Sequence, residues 1–209
     1  MDTETAKDWF QIGTAIVLGL SGIGYGTRQA FKFLKKKKVK NDEDKFNYVN
    51  MRIWNLITDL RDRGKASRVS VVQFHNGGKF MDGSSMRRMS ISSQACDPKV
   101  SSTMQFRQDV LVSRFVELIG ILQENNSRIR MVSEQRDSNS KKFHELHDTL
   151  AFSMLPIYCS DSLLIQGYIS VEWCDLRTLD KLDESNFGDV FINARSQIAF
   201  LLSTAKDYR

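Results

Sequence analysis

The stretch Val69 to Gln94, VSVVQFHNGGKFMDGSSMRRMSISSQ, sets the tightest limits on what this chain can fold into. Val69, Val71, Val72 and Phe74 are β-branched and aromatic residues suited to a pleated, half-buried surface, and Asn76-Gly77-Gly78 then stops the strand where positive φ is tolerated. Asp82-Gly83 makes a second break. Beyond it Met89 and Ile91 alternate with Ser90, Ser92 and Gln94, the period of a strand with one apolar and one polar face. The pattern predicts two strands joined by a glycine-rich loop. The loop has two readings, turn chemistry and a ligand contact; a turn needs the glycines but has no need of the His75 imidazole.

The flanking sequence extends this into a layered domain. Phe46, Val49, Ile53, Leu56, Ile57 and Leu60 recur at three and four residues, which predicts an amphipathic helix ending near Gly64. Past Asp97-Pro98, the spacing of Val110, Leu111, Phe115, Leu118, Ile119 and Leu122 predicts a helix over 106–124, stopped by Asn125-Asn126. Residues 128–134 read as a third strand, and a short helix carries Phe143 and Leu146. TLAFSMLPIY (149–158) and LLIQGYISVEW (163–173) read as a hairpin about Ser160-Asp161-Ser162. In the second of these, Ile165, Gly167, Ile169, Val171 and Trp173 alternate with Gln166, Tyr168, Ser170 and Glu172. A last helix over about 183–206 has the stripe Phe187, Phe191, Ala194, Ile198, Leu201 and Leu202.

A chain of 209 residues with 41% hydrophobic content suffices for one core of roughly 150 residues plus an accessory segment. That segment is N-terminal. Trp9 to Thr27 is 19 residues without a charge, about the length of helix that crosses a ~30 Å hydrocarbon layer. Three acids precede it, and residues 28–40 follow with seven basic residues and no acid. Basic residues on the far side argue for a retained anchor rather than a cleaved signal, with the N-terminus out and the rest cytoplasmic at the inner (cell) membrane. Gly22 and Gly26 stand in a GxxxG pair that suits close helix pairing. The expected organisation is a tail at 1–8, a transmembrane helix at 9–27, a basic linker at 28–44 and one α+β domain at 45–209.

Charge placement also bears on partners. The net charge is +5, yet the excess sits wholly in 28–40 and residues 41–209 are neutral, so nucleic acid is not an expected partner. Cys96, Cys159 and Cys174 are odd in number and lack paired spacing, which points away from a disulfide framework and from structural zinc. Self-association is expected through the anchor and the helix at 45–64.

The order helix, strand, loop, strand, excursion, strand, hairpin, helix resembles the GAF domain, a relative of PAS modules. GYISVEW, with the acidic loop and apolar helix stripe that follow, carries the likeness most closely. The resemblance implies a GAF/PAS-like antiparallel sheet, terminal helices on one face and a small-molecule pocket on the other. QFHNGGKFMDGSSMRRMS is also similar to segments of small membrane-anchored GAF-like proteins of bacteriophages. The chain departs from better-defined GAF branches. It has no NKFDE-like motif, no cysteine beside a histidine as a covalent bilin site needs, and no paired cysteines like those of the methionine sulfoxide reductase branch. Those ligands do not carry over.

The binding reading places Ser90, Ser92, Gln94, Tyr168, Ser170 and Glu172 on one polar sheet face, with His75, Asn76 and Phe80 closing a cavity. The competing reading covers that face with residues 97–127 and bonds its polar groups internally. Glu172, between Val171 and Trp173, needs a partner, expected to be Arg87 or Arg88. An enzyme would have to pair His75 as base with Cys96 as nucleophile; nothing orients the histidine, so catalysis is not expected. His144 and His147, three apart on a short helix, lack a third ligand nearby and are expected on a solvated face. The expected function is a membrane-anchored sensory or interaction module with no output segment after its last helix. The runner-up is a phage-encoded virion or holin-like component that uses the fold as an oligomerisation scaffold.

Overall fold

The structure is a computed structural model that describes residues 43–79, 81, 85–159 and 162–206. The expected membrane span at 9–27 and most of the basic linker lie outside the described residues, and no helix among those described is long and apolar enough to cross a membrane. The chain divides between Asn47 and Tyr48, and the packing below concerns the unit from Tyr48 onward.

Among the described residues six strands form one antiparallel sheet, in the order β3 (Val110–Leu111), β2 (Ser85–Cys96), β1 (Arg68–Lys79), β6 (Ser162–Trp173), β5 (Ala151–Cys159) and β4 (Arg130–Met131). Helix α1 (43–63) precedes β1 (Arg68–Lys79) and β2 (Ser85–Cys96), the hairpin expected at 69–94. The connection 97–150 holds β3 (Val110–Leu111), α2 (Val116–Glu124), β4 (Arg130–Met131) and α3 (Asn139–Leu146). β5 (Ala151–Cys159) and β6 (Ser162–Trp173) form the second hairpin, and α4 (Glu184–Lys206) closes the fold. β6 pairs with β1, so the two hairpins meet along their long central strands.

Strand alternation builds a core on each side of this sheet. Val69, Val71, Ile169, Val171 and Trp173 pack against Ile53, Ile57 and Leu60 of α1 and Phe187, Phe191 and Ile198 of α4. Each such side chain, taken fully out of water, contributes roughly 1.5–3 kcal/mol. On the opposite face Val72, Met89, Ile91, Phe152, Met154 and Tyr168 meet Phe115, Leu118 and Leu122. Trp173 is wholly buried and its indole N–H donates to the carbonyl of Gly64 at 2.9 Å. Any residue could offer that carbonyl; crowding explains the glycine. A Cβ at Gly64 would lie 2.9 Å from the Leu60 carbonyl oxygen and 3.1 Å from the Phe187 ring, while the left-handed turn itself falls to Lys65 at φ 50°.

Several expected elements are redrawn. The helix expected over 106–124 exists only as α2; Val110–Leu111 leave helical geometry to pair with Met89 and Arg88 at the edge of β2. Asn125 ends α2 at φ 48°, as its sequence suggested. The third strand shrinks to Arg130–Met131, because a 3-10 turn follows at once. Phe46, counted in the apolar stripe, is exposed.

A β-bulge corrects the face assignment in β2. Val71 pairs with Ser93 but Val72 pairs with Ile91, so Ser92 is the extra residue, and its hydroxyl donates to the Val71 carbonyl at 3.2 Å. Gln94 therefore lies beside Ser70, whereas Ser90, two residues before Ser92, lies beside Gln73. A second register shift, near Tyr158, moves Ile165 onto the α2 side of the sheet, away from Ile169 and Val171.

Candidate functional site

Pairing across the three inner strands stacks polar side chains at one end of the face covered by the 97–150 connection. Arg68 lies opposite Glu172 and Ser70 opposite Ser170 on β6, while Gln94 lies opposite Ser70 on β2. Arg68, Ser70, Ser170 and Glu172 are all buried. Toward the other end of the face the rows become apolar, with Val72 beside Tyr168 and Ile91.

Arg68 is the hub of the sheet side. Its Nε donates to Glu172 Oε2 at 3.0 Å and its Nη2 to Thr149 Oγ1 at 2.6 Å and the His147 carbonyl at 2.7 Å. Thr149 and Ser170 each donate a hydroxyl to Glu172 at 3.3 Å. Burial by itself would raise the Glu172 carboxyl. The charge of His144 when protonated, the Arg68 and Arg107 charges and the Arg68 hydrogen bond outweigh it and hold the carboxyl below the usual range. The expectation that Arg87 or Arg88 would pair with Glu172 is corrected. Arg88 binds Asp109 at 2.9 Å and Arg87 donates to the Ile165 carbonyl, because both sit at the opposite end of the hairpin.

Gln94 fastens the connection to the sheet. Its Nε2 donates to Ser70 Oγ and Thr103 Oγ1 at 2.8 Å, and its Oε1 accepts from Ser102 Oγ at 2.6 Å and the Thr103 N–H at 3.0 Å. The neighbouring Cys96 thiol is pushed up by burial and also leans on Gln94 Oε1.

The connection lowers two more polar groups onto this face. Arg107 is 2% exposed, donates from Nη1 to Tyr168 Oη at 3.1 Å and lies 3.9 Å over the Phe143 ring. Its Nε is buried with no partner. His144 has no exposed surface and stacks flat on Phe152, with centroids 4.5 Å apart and planes at 12°. Neither ring nitrogen has a partner. Burial pushes the His144 pKa down to about 4, with Arg107, Arg68 and His147 adding to the effect and Glu172 opposing it. The solvated helix face expected for this histidine is thus corrected: α3 turns His144 inward.

The sequence-named site residues fall into two places. Gln94, Ser170 and Glu172 belong to the buried polar end, and Tyr168 sits in the apolar row next to it, where its hydroxyl accepts from Arg107. His75, Asn76 and Ser92 are exposed; His75 Nε2 lies 2.9 Å from Ser90 Oγ, which also accepts from the Asp109 N–H at 2.8 Å. Phe80 lies outside the described residues. His75 pairs with Arg88 and Cys96 with Arg68, so seven residues of strand, roughly 23 Å, separate this histidine from this cysteine.

Arg68, Thr103, Arg107, His144 and Thr149 were not foreseen. Arg68 was within reach of the alternation argument, since it shares its face with Ser70, but Arg107 and His144 come from irregular or short segments where no period marks the inward side.

No family model and no curated protein matches this sequence. Solved structures do. A far-red cyanobacteriochrome photoreceptor aligns at 12% identity and TM-score 0.56, over 82% of this chain and 97% of its own. A GAF domain/HD domain protein from Geobacter sulfurreducens aligns at 12% identity and TM-score 0.54, over 76% and 94%. A phycocyanobilin-bound GAF domain from a cyanobacterial phytochrome aligns at 12% identity and TM-score 0.54, over 81% and 94%. At this level of identity the likeness concerns the fold, and the fold of the chain is that of GAF domains.

Proposed function

We propose that the chain is a sensory module that holds a small molecule on the sheet face beneath the 97–150 connection. The observation that carries this reading is the pair Arg107 and His144, each buried and each with side-chain nitrogens that meet no protein partner. A buried donor left unpaired costs about 1–3 kcal/mol, and one on a charged group more, so such positions call for a ligand or ordered water. The solved neighbours support it in kind, since one of them is a phycocyanobilin-bound GAF domain. The sequence supports something other than a covalent bilin, because no cysteine stands beside a histidine. We place the module at a membrane through residues 9–27, a part of the reading that rests on the uncharged run and the basic segment after it.

Native mass spectrometry of the full chain, first as purified and then after exposure to a cell extract of small metabolites, tests the binding reading. A stoichiometric adduct that disappears in both Arg107→Met and His144→Phe is the expected result. Ligand-free spectra under both conditions would reject the module as a binder. Recovery of the full chain in the supernatant after membrane pelleting would reject the anchor.

A further inference from the structure

The charges and hydrogen-bonding needs around Arg107 narrow the ligand class, an inference that rests on the binding reading above. The buried polar end holds two guanidinium groups and one carboxylate. Arg68 is matched by Glu172 at 3.0 Å, with both side chains 2% exposed. Among the described residues no carboxylate lies within ion-pair distance of Arg107, and the one hydrogen bond its guanidinium makes is to the neutral Tyr168 hydroxyl. His144 adds no charge near neutrality. One positive charge is left over in a region where an isolated ion is costly.

The stereochemistry narrows the class further. A Phe143 ring lies under the Arg107 guanidinium and Phe152 covers a face of His144, so the groups that remain free are in-plane N–H and N positions at their edges. The Arg107 guanidinium lies 3.9 Å from the centre of the Phe143 ring, and that centre lies 6.0 Å from the centre of His144. The two groups are therefore no farther apart than those two steps together, within reach of one small molecule. Arg107 Nε needs an acceptor. Neutral His144 needs an acceptor on one nitrogen and a donor on the other.

We infer that the ligand is a small hydroxycarboxylate, its carboxylate on Arg107 and its hydroxyl against one ring nitrogen of His144. A monoanion cancels the single surplus charge, whereas a dianionic phosphate ester would overshoot it. Chloride would match the charge but offers His144 no donor. Water would meet the hydrogen bonds but leave the charge.

Thermal unfolding of the full chain with glycolate, lactate and 3-hydroxybutyrate, each beside its neutral amide and with acetate and sodium chloride as controls, decides the matter. At a hundred times Kd the preferred hydroxycarboxylate should raise Tm by roughly 5–10 °C, its amide and chloride should leave Tm unchanged, and acetate should fall between. Arg107→Gln should abolish the shift and Arg107→Lys should keep part of it. Should these variants fail to fold, side-chain nitrogen NMR of His144 in the wild type gives the second readout, with its resonances moving only for the hydroxycarboxylate. Equal shifts from acid and amide, or from chloride alone, would overturn the carboxylate assignment while leaving a binding module in place. No shift from any of the acids would also overturn it, and the mass spectra described above then decide separately whether any small molecule binds.

Discussion

Glu172 and Arg68 form an ion pair with almost no contact with water, and the sequence around them, Val-Glu-Trp and Ser-Arg-Val, gives each an apolar neighbour in the opposite core. Removing one partner strands the other. Arg68→Met should destabilise the chain by about 3–5 kcal/mol in chemical denaturation, and the double variant with Glu172→Leu should recover most of that loss. A double variant as unstable as the single would show that Arg68 acts mainly through Thr149 and the His147 carbonyl. His144 adds a pH dependence of defined sign. In the folded chain it takes its proton only near about 4, against 6.5 for the free side chain. Between these values the unfolded chain binds more protons, so stability is complete above the upper value and is lost as pH falls toward the lower one, by roughly 3 kcal/mol. The lowered Glu172 carboxyl acts in the same direction further into acid. Denaturation midpoints measured across that range should fall steeply for the wild type and more gently for His144→Phe.

Gly167 makes the corresponding point for the elements. It lies in β6 between Gln73 of β1 and Ile157 of β5, and an added Cβ would stand 2.2 Å from the Val72 carbonyl oxygen. Backbone on both sides cannot yield without breaking a ladder, so Gly167→Ala should cost at least 1–3 kcal/mol, roughly the penalty of overpacking. Gly120, in the middle of α2 with open space around its missing Cβ, is the control: Gly120→Ala should stabilise by about 0.5–1 kcal/mol. Opposite signs in thermal melts would support both placements. The long strands and terminal helices were legible from periodicity, since Ile53, Ile57 and Leu60 or Phe187, Phe191 and Ile198 can share a helix face in only one way. The connection was not. Two-residue strands and single turns are shorter than the window over which a period can be counted, and β3 forms only because the edge of β2 is there to receive it.

For the molecule as a whole, α1 presents Tyr48, Met51 and Trp54 to solvent, each more than half exposed and set three residues apart. The stripe that α1 buries runs through Ile53, Ile57 and Leu60, so Tyr48, Met51 and Trp54 lie outside the core formed by the described residues. Such a row fits self-association of this helix, the partner expected from sequence. Sedimentation of the full chain should show an oligomer that Trp54→Glu shifts toward monomer; an unchanged distribution would remove α1 from the interface.

Residue order by itself determined the α+β class, the two long hairpins, the helices that bound the domain, and the presence of Tyr168, Ser170 and Glu172 on one face of β6, because alternation and helical spacing are properties of neighbours along the chain. Only the tertiary structure decided which groups meet there. The bulge at Ser92 separates Ser90 from Gln94, Arg68 rather than Arg87 or Arg88 reaches Glu172, and a connection without period carries Arg107 and His144 into the core. Each of these depends on contacts between segments far apart in sequence, where a one-residue slip reverses a side chain's face and burial sets what a charge requires.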